Sequence, residues 1–181
     1  DVPLADLIGF DYSHTNRGSV TTPESVNLNL QTGLNQTTAV FASVRWVPWS
    51  DFAYYPPALK ATTAYALQNG RGLPLVTYHD DQTAVELGVG KRLSPKLAMS
   101  VSGLWDSGAG APAPTLGPVE GYWGVGLAAK YNINQNVAFS LGGRYMWFGD
   151  AKGKVSSGAI VGDFQDNDGF IVGMKLSYSS K

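Results

Sequence analysis

Apolar and polar residues alternate with a period of two along most of this chain. In Val26–Gly33, Val26, Leu28 and Leu30 fall on one side, while Asn27, Asn29 and Gln31 fall on the other. In the next segment Val40, Ala42, Val44 and Trp46 oppose Phe41, Ser43 and Arg45. Successive side chains of a strand point to opposite faces, so each segment predicts a strand with one apolar and one polar face. The pattern predicts eight strands, at Asp6–His14, Ser25–Gly33, Thr38–Trp49, Gln82–Arg92, Leu97–Asp106, Tyr122–Tyr131, Val137–Phe148 and Gly169–Tyr178. Only Ala58–Gln68 has helical character, enough for a turn or two within a loop.

The connections sort into two kinds. GLNQTT, LSPK and NINQN are short and rich in turn formers. Residues 15–24, 51–81, 107–121 and 149–168 are long and carry Gly, Pro, Ser and Asp. Long and short connections alternate, with both chain ends on the short side. A transmembrane β-barrel has this asymmetry, with short periplasmic turns and long extracellular loops.

The apolar face continues from strand to strand through residues such as Phe10, Leu28, Leu87, Val101, Leu127, Leu141 and Met174. Trp46, Trp49, Trp105, Trp123, Tyr145, Trp147 and Tyr178 gather towards strand ends, where aromatic rings mark the two interfaces of a bilayer. The reverse face carries Asp11, Arg45, Glu86, Lys130, Arg144 and Lys175, interleaved with serines and glycines. These charges are expected to point inwards. They either plug a narrow barrel as a paired network or offer basic groups to a carboxylate. A soluble sandwich would explain the alternation but not the alternating loop lengths. The expected fold is therefore all-β: one eight-stranded antiparallel up-and-down transmembrane β-barrel spanning residues 1–181, closed so that no strand edge meets lipid.

Composition changes this picture little. The net charge of −1 gives no argument for nucleic acid. Without cysteine there is neither a disulfide framework nor a thiolate metal site. No apolar run is long enough for a helical span, and an export leader is expected to have been removed before Asp1.

Two features invite chemistry. His79-Asp80-Asp81 and His14 fall at the loop-side rim, where an acid–histidine pair would activate water or serine. Their strands are not neighbours, and no serine is singled out, so no enzyme is expected. Asp163, Asp166 and Asp168 suggest a calcium loop, but EF-hand alignment puts Phe164 and Lys175 where the first and last oxygen ligands belong. No metal or cofactor is expected.

Two phrases, PESVNLNLQTGL and VRWVPWSDF, resemble the later strands of the FadL-type outer-membrane transporters of long-chain fatty acids and aromatic hydrocarbons. The likeness continues through TAVELGVGKRLSPKLAMSVS and GYWGVGLAAKYNINQNVAFSLGGRYMWFGDA to DNDGFIVGMKLSYS, and Arg45–Phe52 is its most specific part. The resemblance implies a Gram-negative bacterial outer-membrane location and the binding or transport of hydrophobic small molecules such as fatty acids. Members of that family are about twice as long and carry an N-terminal hatch with an Asn-Pro-Ala signature that is missing here. Lys181 stands where outer-membrane barrels usually end on an aromatic, which leaves Tyr178 as the candidate assembly signal. The alternative expectation is a non-conducting structural or interaction barrel. The expected partners are membrane lipid, a hydrophobic ligand and a companion membrane protein.

Overall fold

A computed structural model of the chain describes residues 19–180. Seven antiparallel strands form its main sheet: β1 (Val26–Gly33), β2 (Thr38–Val47), β5 (Gln82–Arg92), β6 (Leu97–Asp106), β8 (Tyr122–Asn132), β9 (Val137–Phe148) and β12 (Asp168–Tyr178). They pair in that order. Seven of the eight expected strands are thus present, within two residues at every boundary. The eighth, Asp6–His14, lies outside the described residues. Among the described residues the sheet is open: β1 pairs only with β2, and β12 only with β9. The structure therefore establishes neither closure nor a count of eight.

The three short turns share one device. In each, the side chain of the second turn residue accepts backbone N–H groups further along. Asn35 Oδ1 takes Thr37 N at 2.9 Å, Ser94 Oγ takes Lys96 N at 3.2 Å, and Asn134 Oδ1 takes Asn136 N at 2.9 Å. Asn and Ser favour turns because they satisfy the backbone locally in this way. The fixed turns set the register, and register keeps the alternating apolar runs on one face, while Phe41, Leu104 and Ile171 fall on the other. Trp105, Trp123 and Trp147 consequently lie in one row across β6, β8 and β9. Leu97, Tyr131, Phe139 and Leu176 form a second row near the short turns. Eight residues separate Trp123 from Tyr131, which is about 27 Å along a strand.

Among the described residues, nothing packs against this apolar face. Phe170 is 76% exposed, Met174 75%, Leu176 70% and Trp123 66%. No large side chain among the described residues is fully buried. Among the described residues no helix is long and apolar enough to cross a membrane.

The long connections fold into a separate layer at the opposite end from the short turns. β3 (Ala53–Tyr54) pairs with β4 (Val76–Thr77), and the helix α1 (Pro57–Leu67) lies between them. Pro57 starts the helix, where a missing N–H is harmless. β7 (Ala113–Pro114), β10 (Ala151–Lys154) and β11 (Ile160–Phe164) form a small sheet in which β7 and β10 run parallel. The residues buried most completely include Ala113 and Ala151 of this layer. Gly149 N donates to Gly121 O at 3.0 Å, and a Cβ at Gly149 would run into the Glu120 carbonyl oxygen. A rigid backbone atom cannot swing aside, so Gly149→Ala is expected to destabilise the fold by about 1–3 kcal/mol. Urea unfolding in the presence of lipid checks this.

Candidate functional site

The polar face is concave. Glu86 on β5 and Arg144 on β9 are separated by two intervening strands, yet Arg144 Nη2 donates to Glu86 Oε2 at 2.7 Å. Strands lie about 4.8 Å apart, so three intervals put the two backbones roughly 14 Å from each other across a flat sheet. Curvature towards the polar side brings the side chains together. Between them Ser102 is buried, and a Cβ at Gly126 would stand 2.6 Å from its hydroxyl. Small residues on β6 and β8 thus leave room for the bridge to arch over them.

Towards β1 the same face is held by neutral and charged hydrogen bonds between directly paired residues. Arg45 Nη1 donates to Asn27 Oδ1 at 2.9 Å, and Ser43 Oγ donates to Asn29 Oδ1 at 2.8 Å. Nearer the short turns, one row is made only of small residues: Gly33, Ala39, Gly90, Ser100, Ala128, Gly142 and Gly173. No atom approaches within 4 Å of a Cβ placed on Gly173. The concave face is therefore hollow at this level.

Of the six expected inward charges, the structure brings together Glu86 and Arg144. Arg45 instead joins an amide, and Asp11 lies outside the described residues. Lys130 and Lys175 sit in one row with Ser140 between them, and neither has an acidic partner among the described residues. The contact of Arg144 with Glu86 reaches across the concavity. Arg92, on the same face as Glu86, belongs in this inventory; its position at a strand end hid it. Its parity with Glu86 was the available signal.

Of the expected interface aromatics, Trp105 and Trp123 lie 6.3 Å apart and Tyr145 and Trp147 5.0 Å apart on the apolar face. Trp46 shares that face, and Tyr178 stands at its short-turn end. Trp49 does not belong with them. Pro48 cannot continue the ladder, β2 stops at Val47, and Trp49 begins a single 3₁₀ turn. Its indole packs on Phe52 and Tyr78 and donates to Gln82 Oε1 at 2.8 Å.

Gln82 passes this connection on to the loop layer. Its amide donates to both oxygens of buried Asp106, at 2.8 and 2.9 Å, and Asp106 also accepts from Gly108 N. Next to it Glu120 Oε1 accepts from Gly110 N at 3.0 Å, while buried Oε2 has no hydrogen-bond partner. Burial, with Asp80 and Asp106 nearby, raises the Glu120 pKa above the usual carboxylate range. Lys154 Nζ approaches His79 Nε2 at 2.7 Å, a contact in which the ammonium donates to the ring nitrogen, and burial lowers the Lys154 pKa. His79 therefore ties the 51–81 connection to β10, and is part of the loop framework. Asp166 N donates to Asp150 Oδ1, so these acids also brace the loops. Among the described residues no group of three or more His, Asp or Glu has metal-holding geometry.

No family model matches the sequence, and no curated protein matches it. Among solved structures, a FadL homologue from Pseudomonas aeruginosa superposes with a TM-score of 0.60 at 13% identity. The match covers 86% of this chain and 35% of that one, so the chain spans about a third of that protein's length. The likeness shows the fold: a FadL-like antiparallel β-sheet.

Two outcomes follow from this geometry. The bridge side chains are 47% and 22% exposed, which makes the ion pair one of modest strength. Arg144→Ala is expected to cost below about 1 kcal/mol, as exposed pairs do, rather than the several kcal/mol of a sealed network. Urea unfolding of Arg144→Ala, Glu86→Gln and the double variant measures the coupling. Glu120 gives a pH dependence of defined sign. An acid whose folded-state pKa is raised holds its proton more tightly when folded, so its contribution is fully present below the ordinary carboxylate range. That contribution is lost as pH rises through the raised value. Glu120→Gln is expected to remove this loss, read as slower hydrogen exchange of the Gly110 amide on the alkaline side.

Proposed function

We propose that this chain forms one wall of an outer-membrane β-barrel of a Gram-negative bacterium that binds or passes hydrophobic small molecules such as long-chain fatty acids. The observation that carries the proposal is the pairing of an unpacked apolar convex face with a concave face hollowed by a complete row of small residues. The apolar face suits lipid, and the row of girdle tryptophans suits one bilayer interface. The long-loop end faces the exterior and the short turns face the periplasm. Free strand edges are not tolerated in hydrocarbon, so β1 and β12 pair with further strands, from this polypeptide or from a companion membrane protein.

A non-conducting barrel is the alternative, and it requires a filled interior. The glycine- and alanine-lined row speaks against it. A Cβ at Gly90 would make only ordinary contacts and one at Gly173 would meet nothing within 4 Å, so both positions can carry a side chain on this face. In intact cells, the pair Gly90→Trp and Gly173→Trp is expected to abolish most uptake of a labelled fatty acid while leaving membrane insertion unchanged. Unchanged uptake in inserted protein would favour the structural alternative.

A further inference from the structure

The described charges divide along the strand axis. Cut across the row of small residues, the long-loop half contains every described acidic residue. The short-turn half contains Lys91, Arg92, Lys96, Lys130 and Lys175, with no acid. Three of these cations share one register row on the concave face. Arg92 pairs with Ala98, Ala98 with Lys130, Lys130 with Ser140, and Ser140 with Lys175. The cations thus occupy alternate strands β5, β8 and β12, with a small residue on each strand between.

The nearest acid on this face by register is Glu86, six residues from Arg92, or about 20 Å along the strand. That exceeds the Debye length of roughly 8 Å at physiological salt, and Glu86 is already engaged by Arg144. Beside the row lies a hollow of about 400 Å³ bordered by Gly90, Ala128 and Ser100 and by Lys91, Arg92 and Lys130. The contact between Glu86 and Arg144 shows that side chains three strands apart meet across this concavity. Cations two strands apart are accordingly able to address one ligand.

From this arrangement we infer that Arg92, Lys130 and Lys175 form an oxyanion-binding station at the short-turn mouth of the concave face. Its ligand is an amphiphile carrying a carboxylate or phosphate. The head is held by charge-assisted hydrogen bonds from the central Lys130 together with Arg92 on one side or Lys175 on the other, and the tail lies over the small-residue row. The gradient from the acidic loop end to the basic turn end draws such a head towards the turns. Lys91, one residue from Arg92, also borders this hollow, but strand alternation sets it in the row of Thr38 and Met99, out of register with the three cations, so it controls for nearby charge. The amphiphile part of this inference rests on the conduit reading; the oxyanion part does not.

The test uses the full chain in phosphatidylcholine nanodiscs, titrated calorimetrically with dodecanoate, dodecyl phosphate, dodecanol and inorganic phosphate. Both amphiphilic anions are expected to bind more tightly than dodecanol. Lys130→Gln should weaken them about tenfold, the factor that corresponds to roughly 1.4 kcal/mol. Lys91→Gln removes the same charge from outside the register row and should change nothing. Equal weakening by Lys91→Gln would overturn the station, because general surface charge would then explain the binding. So would equal affinity for dodecanoate and dodecanol. If no amphiphile binds, but inorganic phosphate does so in a Lys130-dependent way, the oxyanion station stands and the conduit reading fails. Competition from phosphatidylglycerol in the disc would place the row at the bilayer surface and refute its position inside the concavity.

Discussion

A sheet whose apolar face has no protein to pack against must find an apolar solvent, and everything else in this structure follows from that requirement. Burial of side chains such as Phe170, Met174 and Trp123 would ordinarily supply the core of a domain of this size. Here they stand outwards across seven strands. Water would leave this surface with nothing to offset the cost of ordering the chain, whereas the hydrocarbon of a bilayer satisfies it. An uninterrupted antiparallel ladder with its irregular segments gathered at one end, beyond the tryptophan row, suits the proposed bilayer setting, because lipid forbids unpaired backbone groups.

The opposite face solves a different problem. Polar side chains turned away from lipid need partners, and the concavity provides them. Near β1, partners are direct neighbours, as in Arg45 with Asn27. At the centre, the curvature lets Glu86 and Arg144 meet over Ser102 and Gly126. Nearer the turns the row of glycine, alanine and serine leaves space instead of contacts. The same face is thus tied where its residues are large and hollow where they are small. The loop layer is anchored separately, through Trp49, Gln82 and Asp106, so a small polar relay connects the outer loops to the end of the sheet.

Much of this was legible in the amino-acid order. Strict alternation between Asn- or Ser-bearing turns placed β5, β6 and β9 to the residue, because a period of two has no competing interpretation once register is pinned at one end. The helix after Pro57 was visible in its composition. What escaped was of two kinds. β7, β10 and β11 are short and lie in glycine-rich segments, the first also rich in proline; the parallel pairing of β7 with β10 is created by tertiary packing and has no local period. The partner of Arg144 was also hidden. The two residues stand three strands apart, and only the depth of the curvature reveals that Glu86 is within reach. Trp49 was misplaced because alternation was carried through Pro48, where the ladder ends.

The central claim is that the convex face meets lipid and the concave face meets water. The chain has no cysteine, so single cysteines can be introduced and labelled one at a time along β8. With an environment-sensitive fluorophore in bilayer-inserted protein, labels at Trp123, Val125, Leu127 and Ala129 are expected to be quenched by a lipid-phase quencher. Labels at Gly124, Gly126 and Ala128 are expected to respond only to an aqueous one. Quenching without this two-residue period, or with the faces reversed, would contradict the account.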